Sequence, residues 1–105
     1  MKEPLVSIGM PAYNGEKWIR RALDSLLLQD YPNTEIIISD NLSTDRTLDI
    51  CAEYAATSNK IRIIKQPVTI GIVENFRVVL TAATGKYFMW AAVDDKWDGS
   101  FVRAL

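Results

Sequence analysis

The chain contains no histidine and only one cysteine, Cys51, among its 105 residues. Without histidine it has neither a Ser-His-Asp nor a Cys-His nucleophile system, and it has no zinc site that uses imidazole. A lone cysteine also excludes an intrachain disulfide and a CxxC metal clip. These absences remove most nucleophilic and zinc chemistry from consideration.

Glycine-rich phosphate loops and strongly biased segments are missing as well. Neither GxGxxG after the first apolar run nor GxxxxGK[ST] occurs, which argues against dinucleotide-binding and P-loop proteins. The net charge is −1 and the basic residues are scattered, so we expect no nucleic-acid partner. No apolar run approaches about 18 residues, and Met1–Pro4 does not open a signal peptide. We expect a cytoplasmic protein, with a peripheral position at the inner face of the membrane as the alternative.

What is present is an ordinary globular composition, 49% apolar and 24% charged. Four apolar runs predict buried strands at residues 5–10, 35–39, 61–65 and 87–92. Apolar residues at helical spacing predict three helices between the strands. The first helix is expected to start at Asn14 or Gly15, and the third at Gly71. The second is expected to be capped by Ser43 or Thr44, with Asp45 in its first turn. Ser100 is expected to cap a fourth helix. The expected core faces include Leu48, Cys51, Ala52 and Ala55 on the second helix, and Ile72, Val73, Phe76, Val79, Leu80 and Ala83 on the third.

This alternation predicts an α/β fold, a three-layer Rossmann-like parallel sheet with right-handed crossovers and helices on both faces. In such sheets ligands bind beyond the carboxyl ends of the strands, where the strand order reverses. We therefore expect one cleft to collect the polar clusters that follow the strands, namely Tyr13-Asn14, Asp40-Asn41, Thr69–Gly71 and Asp94-Asp95.

The acidic pair Asp94-Asp95 is the sharpest of these features. Two unit charges about 4 Å apart interact by about 4 kcal/mol at an effective dielectric of 20, so adjacent carboxylates repel a phosphate. A phosphate site there requires a divalent cation between the like charges, and oxygen ligands suit Mg²⁺ or Mn²⁺. The alternative is a solvated acidic turn, or an acid at a helix start near Ser100.

The other clusters also have two interpretations each. Asp40 is placed to accept the imide N–H of a uracil ring, or it bonds its own backbone in a turn. The turn Pro11-Ala12-Tyr13-Asn14 suits a flat base, although a tight strand-to-helix turn uses similar residues. Glu16 either faces the cleft or complements a helix N-terminus.

Taken together, these residues resemble the family 2 glycosyltransferases of the GT-A fold, over nearly the whole chain from Val6 to about Arg103. Four stretches match the motifs of that family in the same order. The first is residues 6–14, at the opening strand and nucleotide turn, and the second is residues 40–47, at the second motif. The third comprises Gly71, Asn75, Ala82 and residues 85–87, before the metal strand. The fourth is residues 92–95, at the DxD-type metal motif, with Trp97 following.

The resemblance implies the strand order 3-2-1-4 and the inverting transfer of a sugar from a nucleoside diphosphate, expected to be UDP, to an acceptor hydroxyl on a glycan, lipid or protein. A cation, Mg²⁺ or Mn²⁺, stabilises the leaving diphosphate, and a carboxylate deprotonates the acceptor. The residues implied to bind the nucleotide are Pro11, Ala12, Tyr13, Glu16, Asp40, Asn75 and Asp94, and the implied metal residues are Asp94 and Asp95.

The chain departs from the family pattern in two ways. Ala92 replaces the first carboxylate of the metal motif, and Leu42 stands where glycine is common. The half of the domain that carries the acceptor site and the general base is expected downstream of Leu105, so we expect no catalytic residue within this segment. We therefore expect residues 1–105 to be a single domain, the nucleotide-binding part of a truncated catalytic domain, with little or no transfer activity alone. A non-catalytic nucleotide-binding or interaction module is the alternative.

The truncation also predicts self-association. The fourth strand should lie at or near an unprotected sheet edge, with Phe88 and Trp90 short of cover. These aromatic residues, with Tyr87, are assigned to the core or the sheet face rather than to a sugar platform.

Two other classes fit worse. A receiver-like signalling domain needs an acidic pair directly after the first strand, and a sugar nucleotidyltransferase needs a glycine-rich basic loop there. This chain has Pro11-Ala12-Tyr13-Asn14 at that position instead.

Overall fold

Four parallel strands form the sheet of this protein, whose computed structural model describes residues 3–104. The strand order is β3-β2-β1-β4, which confirms the predicted order. Three helices connect the strands, as expected for right-handed crossovers in a parallel sheet. The elements are β1 (Val6–Ala12), α1 (Ile19–Leu27), β2 (Thr34–Asp40), α2 (Thr47–Thr57), β3 (Ile61–Lys65), α3 (Ile72–Ala82) and β4 (Tyr87–Trp90).

β1 lies between β2 and β4 and runs two residues further than predicted. Its pairing with β2 continues to Ala12 opposite Asp40, and the Ala12 carbonyl accepts a hydrogen bond from Asn41 N–H at 2.8 Å. Successive residues of a strand direct their backbone N–H and C=O groups to opposite sides, so the backbone of Pro11 points towards the β4 side of β1. The pairing with β4 has already ended there, at Gly9. A proline, which has no N–H to donate, is therefore tolerated inside this strand.

The two faces of the sheet pack against different helices, as predicted. Ile8 and Met10 of β1 belong to the main hydrophobic core with α1 and α2. On the other face, α3 and β4 close over Gly9. A Cβ atom added at Gly9 would lie 2.5 Å from Phe88 Cζ and 2.9 Å from Val79 Cγ2. Only glycine at this position lets Phe88 and Val79 approach the strand so closely.

α1 begins at Ile19, later than the predicted start at Asn14 or Gly15. Residues 16–18 form a turn in which the Gly15 carbonyl accepts the N–H groups of Trp18 and Ile19, both at 2.9 Å. The helical hydrogen bonds therefore start from Gly15, while the Asn14 side chain bonds to another loop.

α2 begins at Thr47, so the prediction that Ser43 or Thr44 caps it is wrong. Asp45 lies ahead of the helix rather than in its first turn, and its carboxylate accepts the Thr47 N–H at 2.9 Å. The predicted core face also changes, because Ala52 is exposed. The buried residues of this helix are Thr47, Ile50 and Cys51.

The predicted core face of α3 is largely exposed. Asn75 and Val79 are its buried residues. Ile72 and Leu80 are 78% and 49% exposed, and Val73 and Phe76 are exposed as well. The helix therefore carries a wider apolar arc than the sheet covers.

β4 ends at Trp90 instead of residue 92 and forms the edge of the sheet, as predicted. It pairs with β1 on one side, and within residues 3–104 no strand pairs with its other side. Trp90 is 44% exposed and Phe88 is half-buried, and their rings lie 4.7 Å apart. The expected lack of cover is therefore real for Trp90 and partial for Phe88.

The segment after β4 folds back along α1 and does not form the predicted fourth helix as far as residue 104; Leu105 lies outside the described residues. Ser100 is not a cap, because its N–H and hydroxyl both bond to the Asp98 carboxylate, at 3.0 and 2.8 Å. Trp97 N–H donates to the Ser25 hydroxyl at 3.2 Å and ties the segment to α1. Across the described part of the chain, no helix has the length and apolarity needed to cross a membrane.

Candidate functional site

The loops that follow β1 and β2 are joined by hydrogen bonds from backbone to side chain. These bonds run from the N–H of Asn14 to Ser43 Oγ (2.9 Å), from that of Gly15 to Thr47 Oγ1 (2.7 Å) and from that of Glu16 to Asp45 Oδ2 (3.2 Å). In return, the Asn14 carboxamide oxygen accepts the Thr44 N–H at 2.8 Å. Since three successive N–H groups are already bonded, this turn does not offer them to a phosphate.

Asp40 lies at the end of β2 and is only 1% exposed. Its carboxylate accepts the Ser43 hydroxyl at 2.6 Å and the Ser43 N–H at 3.1 Å. This is the turn interpretation of the sequence, in which the aspartate bonds its own loop. Contact with a base therefore requires that the buried carboxylate become accessible and that an oxygen already bonded to Ser43 accept a second hydrogen bond.

A cavity of about 100 Å³ lies beside the end of β1. Typical ligand pockets measure roughly 300–1,000 Å³, so this cavity receives only part of a ligand. Tyr13 is 52% exposed, which leaves its ring available for stacking on a planar group. The lining residues are Pro11, Ala12, Tyr13, Asn41, Ile72, Asn75 and Phe76.

Asn75 lines this cavity but is also a structural residue. Its Oδ1 accepts the Ser39 hydroxyl at 2.6 Å, and its Nδ2 donates to the Ser39 carbonyl at 3.1 Å. These buried bonds hold α3 on β2. A nucleotide contact by Asn75 stays a prediction.

Glu16 does not line the cavity. Its carboxylate accepts the Arg46 N–H at 3.0 Å, next to the first turn of α2. Negative charge is favourable at a helix N-terminus. The structure therefore matches the alternative interpretation of Glu16, but at α2 rather than at α1.

The acidic pair follows β4, and both side chains are exposed. Its loop packs against the turn after β1, because a Cβ atom added at Gly15 would lie 2.8 Å from Val93 Cγ2. Arg21 of α1 donates a hydrogen bond to the Asp94 carbonyl at 2.7 Å. The loops after β1 and β4 are thus neighbours, although neither Asp94 nor Asp95 lines the cavity.

The donor set determines which kind of metal site these carboxylates fit. Among residues 3–104, no group of three acidic or cysteine side chains is gathered that could hold a metal ion. Asp94 and Asp95 supply part of an oxygen shell, and Mg²⁺ ordinarily completes such a shell with phosphate oxygens and water. The pair therefore fits a cation shared with a diphosphate rather than one held by the protein alone.

Asn41 is absent from the predicted nucleotide residues, yet it makes two hydrogen bonds beside the cavity. Its Nδ2 donates to the Ile70 carbonyl and its Oδ1 accepts the Ile70 N–H, both at 2.8 Å. The one signal in the sequence is its position directly after Asp40. Nothing in the chain pattern indicates its partner, which lies 29 residues away.

The strand order and the loops gathered at the carboxyl ends of β1, β2 and β4 define a Rossmann-like α/β fold, in which ligands bind at this edge of the sheet. The family model of glycosyl transferase family 2 matches residues 7–105. The chain belongs to this family, and its fold is of the GT-A type.

Similar proteins include one curated relative and two solved structures. TuaG of Bacillus subtilis, a putative teichuronic acid biosynthesis glycosyltransferase, is 35% identical over 95 residues, which cover 90% of this chain and 38% of TuaG. S. aureus TarS 1–349 in complex with UDP-GlcNAc is 29% identical with a TM-score of 0.84, covering 94% of this chain and 29% of TarS. The mannosyltransferase PcManGT from Pyrobaculum calidifontis, in complex with GDP-Man and Mn²⁺, is 27% identical with a TM-score of 0.83, covering 91% and 29%. This chain spans about a third of the length of these proteins.

Proposed function

We propose that this chain binds a nucleoside-diphosphate sugar, specifically a UDP-sugar, as the donor for inverting transfer of a hexose to an acceptor hydroxyl. The observation that carries the proposal is the cavity beside β1, where Pro11, Ala12 and Tyr13 meet Asn75. Tyr13 stacks on the base, and Asp40 accepts its imide N–H. The structure of TarS with UDP-GlcNAc supports a uridine nucleotide as the first ligand to test.

The diphosphate is assigned to the acidic pair, with Asp94 as the metal ligand and Asp95 as its neighbour. Without a cation these carboxylates would repel a diphosphate. The N–H groups of residues 14–16 are bonded already, so the turn after β1 offers them to no phosphate. Bound Mg²⁺ or Mn²⁺ would neutralise charge on the leaving group. The Mn²⁺ in the PcManGT complex supports this assignment.

We further propose that residues 1–105 form a single domain, the nucleotide-binding part of a longer catalytic domain. The greater length of the relatives supports this division. On its own, the chain would bind the donor without transferring the sugar. The acceptor is a glycan, lipid or protein hydroxyl outside these residues, and the name of TuaG supports a role in polysaccharide biosynthesis. The proposed location is the cytoplasm, including the inner face of the membrane.

Calorimetric titration of the chain with UDP and UDP-GlcNAc, in Mn²⁺ and in EDTA, tests the proposal. We expect Mn²⁺-dependent binding that Asp94→Asn weakens about tenfold or more, since losing a ligand lowers metal affinity. Asp98→Asn removes the same charge from the same exposed segment and should bind as the wild type does.

The outcomes separate the parts of the proposal. Absence of any nucleotide binding by the wild-type chain would contradict the nucleotide site. Binding that is equal in Mn²⁺ and EDTA would contradict the metal assignment and would favour the non-catalytic module. Equal losses in Asp94→Asn and Asp98→Asn would remove the special role of Asp94.

A second copy of the chain is the proposed partner of the β4 edge. None of the four residues of β4 is charged or a proline, so nothing in the strand blunts its edge. Tyr87 and Trp90 are exposed at the two ends of the strand. Phe76 of α3 lies 5.1 Å from the Trp90 ring, so the apolar surface continues from the strand onto the helix. A surface of this kind favours association.

A further inference from the structure

The connection between β3 and α3 leads directly into the cavity wall, because Ile72 and Phe76 at the start of α3 line the cavity. Residues 67–69 of this connection are exposed. The connection is anchored at its start, where Gln66 N–H donates to the Asp40 carbonyl at 3.0 Å. The position of Ile72, where this wall begins, therefore depends on how the far end of the connection is held.

That far end is held by the buried side chain of Asn41, which is 6% exposed. The carboxamide of Asn41 donates to the Ile70 carbonyl and accepts the Ile70 N–H, at 2.8 Å each. Both backbone groups of one residue are thus paired with one side chain, as a neighbouring strand would pair them. Aspartate at this position would be an acceptor only, so it would lack the donor for the Ile70 carbonyl.

We infer that Asn41 is a positioning residue for the nucleoside, an inference that rests on the proposed nucleotide binding. By fixing Ile70, Asn41 sets the position of Ile72 at the start of α3 relative to Tyr13, while Asn75 holds the helix beyond Ile72 on β2. Without it, the connection would occupy other conformations for part of the time. The apparent dissociation constant then rises in inverse proportion to the fraction of molecules with a competent wall.

The test compares Asn41→Ala and Asn41→Asp with the wild type, using calorimetry for UDP with Mn²⁺ and NMR titration for uridine. We expect Asn41→Ala to lower the affinity for both ligands by the same factor, about tenfold. That factor corresponds to about one tenth of the molecules having a competent cavity wall. Uridine has no phosphate, so a loss shared by both ligands locates the effect at the nucleoside. Asn59→Asp, in the exposed turn before β3, introduces the same charge as Asn41→Asp and should leave both affinities unchanged.

Amide hydrogen exchange gives a readout that is independent of the ligand. In Asn41→Ala, the Ile70 N–H should lose its protection while the N–H groups of β3 keep theirs. If β3 also loses protection in Asn41→Ala, that variant is destabilised as a whole, and Asn41→Asp becomes the deciding variant. Asn41→Asp retains an acceptor for the Ile70 N–H, and its affinity for uridine and UDP should still be lower than that of the wild type.

Two results would overturn the inference, and they are distinguishable. A wild-type chain that binds neither uridine nor UDP removes the proposed function and this inference with it. A wild type that binds, together with Asn41 variants that bind equally well, removes only the inference.

Discussion

Leu42 has a backbone φ of 58°, in the left-handed region that residues with a Cβ atom rarely occupy. Its neighbours hold it there, since Asn41 is bonded to Ile70 and Ser43 to Asp40. The left-handed conformation costs about 1 kcal/mol for such a residue. Strain of this kind concentrates at functional sites, and Leu42 lies in the loop that borders the proposed nucleoside cavity.

Replacing Leu42 by asparagine is expected to raise the free energy of unfolding by about 0.5–1 kcal/mol, because asparagine tolerates the left-handed region. Asn14, with a φ of 48°, already occupies that region in this chain. Leu42 is 42% exposed, so the substitution loses little apolar burial. Urea denaturation provides the measurement. Leu42→Ala, which keeps a Cβ atom without a polar side chain, should show no gain, and an equal gain in both variants would mean that backbone strain is not the cause.

At the scale of elements, Glu35 of β2 joins the amino-terminal ends of several strands. Its carboxylate accepts hydrogen bonds from the Ser7 hydroxyl of β1 and from Thr84 N–H, the latter at 2.8 Å, and Arg62 of β3 lies 3.3 Å away. The Ser7 hydroxyl in turn accepts the Gly85 N–H at 2.7 Å. One carboxylate therefore connects three strands and the loop that leads into β4.

This network makes stability depend on pH. Partial burial acts to raise the pKa of Glu35, but hydrogen bonds from Ser7 and Thr84 and the charge of Arg62 outweigh it and hold the pKa below its ordinary value of 4.5. Because the pKa is lower in the folded state, the stabilisation is complete above pH 4.5. It is lost as the pH falls through the folded pKa, where unfolding takes up a proton.

We therefore expect Glu35→Gln to be less stable than the wild type at pH 7 and to lose less further stability on acidification below pH 4.5. Urea denaturation at a series of pH values measures both effects. Glu53→Gln is the control, because Glu53 forms an exposed ion pair with Arg20 that contributes little. A Glu35→Gln profile that runs parallel to the wild type through the acid range would contradict the assignment.

The limits of the elements show what local sequence patterns determine. β3 has the predicted bounds because an apolar run ended by Pro67 specifies a strand through local composition. The helix starts were predicted wrongly where a good capping residue bonds across loops. Ser43 and Thr44 bond to Asp40, Asn14 or both, and these partners are set by tertiary structure.

At the scale of the whole molecule, the alternation of strands and helices predicts the parallel sheet, and the family resemblance supplies its strand order. The site follows from these only in part. Pro11, Ala12 and Tyr13 border the cavity because they lie at and just after the end of β1, which the sequence pattern predicted to within two residues. The pairing of Asn41 with Ile70 was not predictable, because it joins two loops that meet only in the folded sheet. Likewise, helical spacing placed Ile72 and Phe76 in the core, since periodicity indicates an apolar face but not what covers it.

The uncovered edge leads to a prediction about assembly. Light scattering coupled to size-exclusion chromatography should show an apparent mass of the wild-type chain that rises with concentration. Trp90→Lys should shift the chain towards the monomer, because a lysine at a sheet edge disfavours pairing with another strand. Trp18→Lys is the matched control, since Trp18 is 40% exposed and Trp90 is 44% exposed.

The two variants separate pairing at β4 from general hydrophobic association. If both reduce the apparent mass equally, exposed tryptophan in any position promotes association and the β4 edge has no special part. A wild-type chain that stays monomeric at every concentration would contradict the proposal outright. Circular dichroism must show that Trp90→Lys keeps its fold, because Trp90 packs against Phe76 and Phe88 at 5.1 and 4.7 Å. A folded monomeric variant beside an associating wild type and Trp18→Lys control would therefore locate the contact at β4.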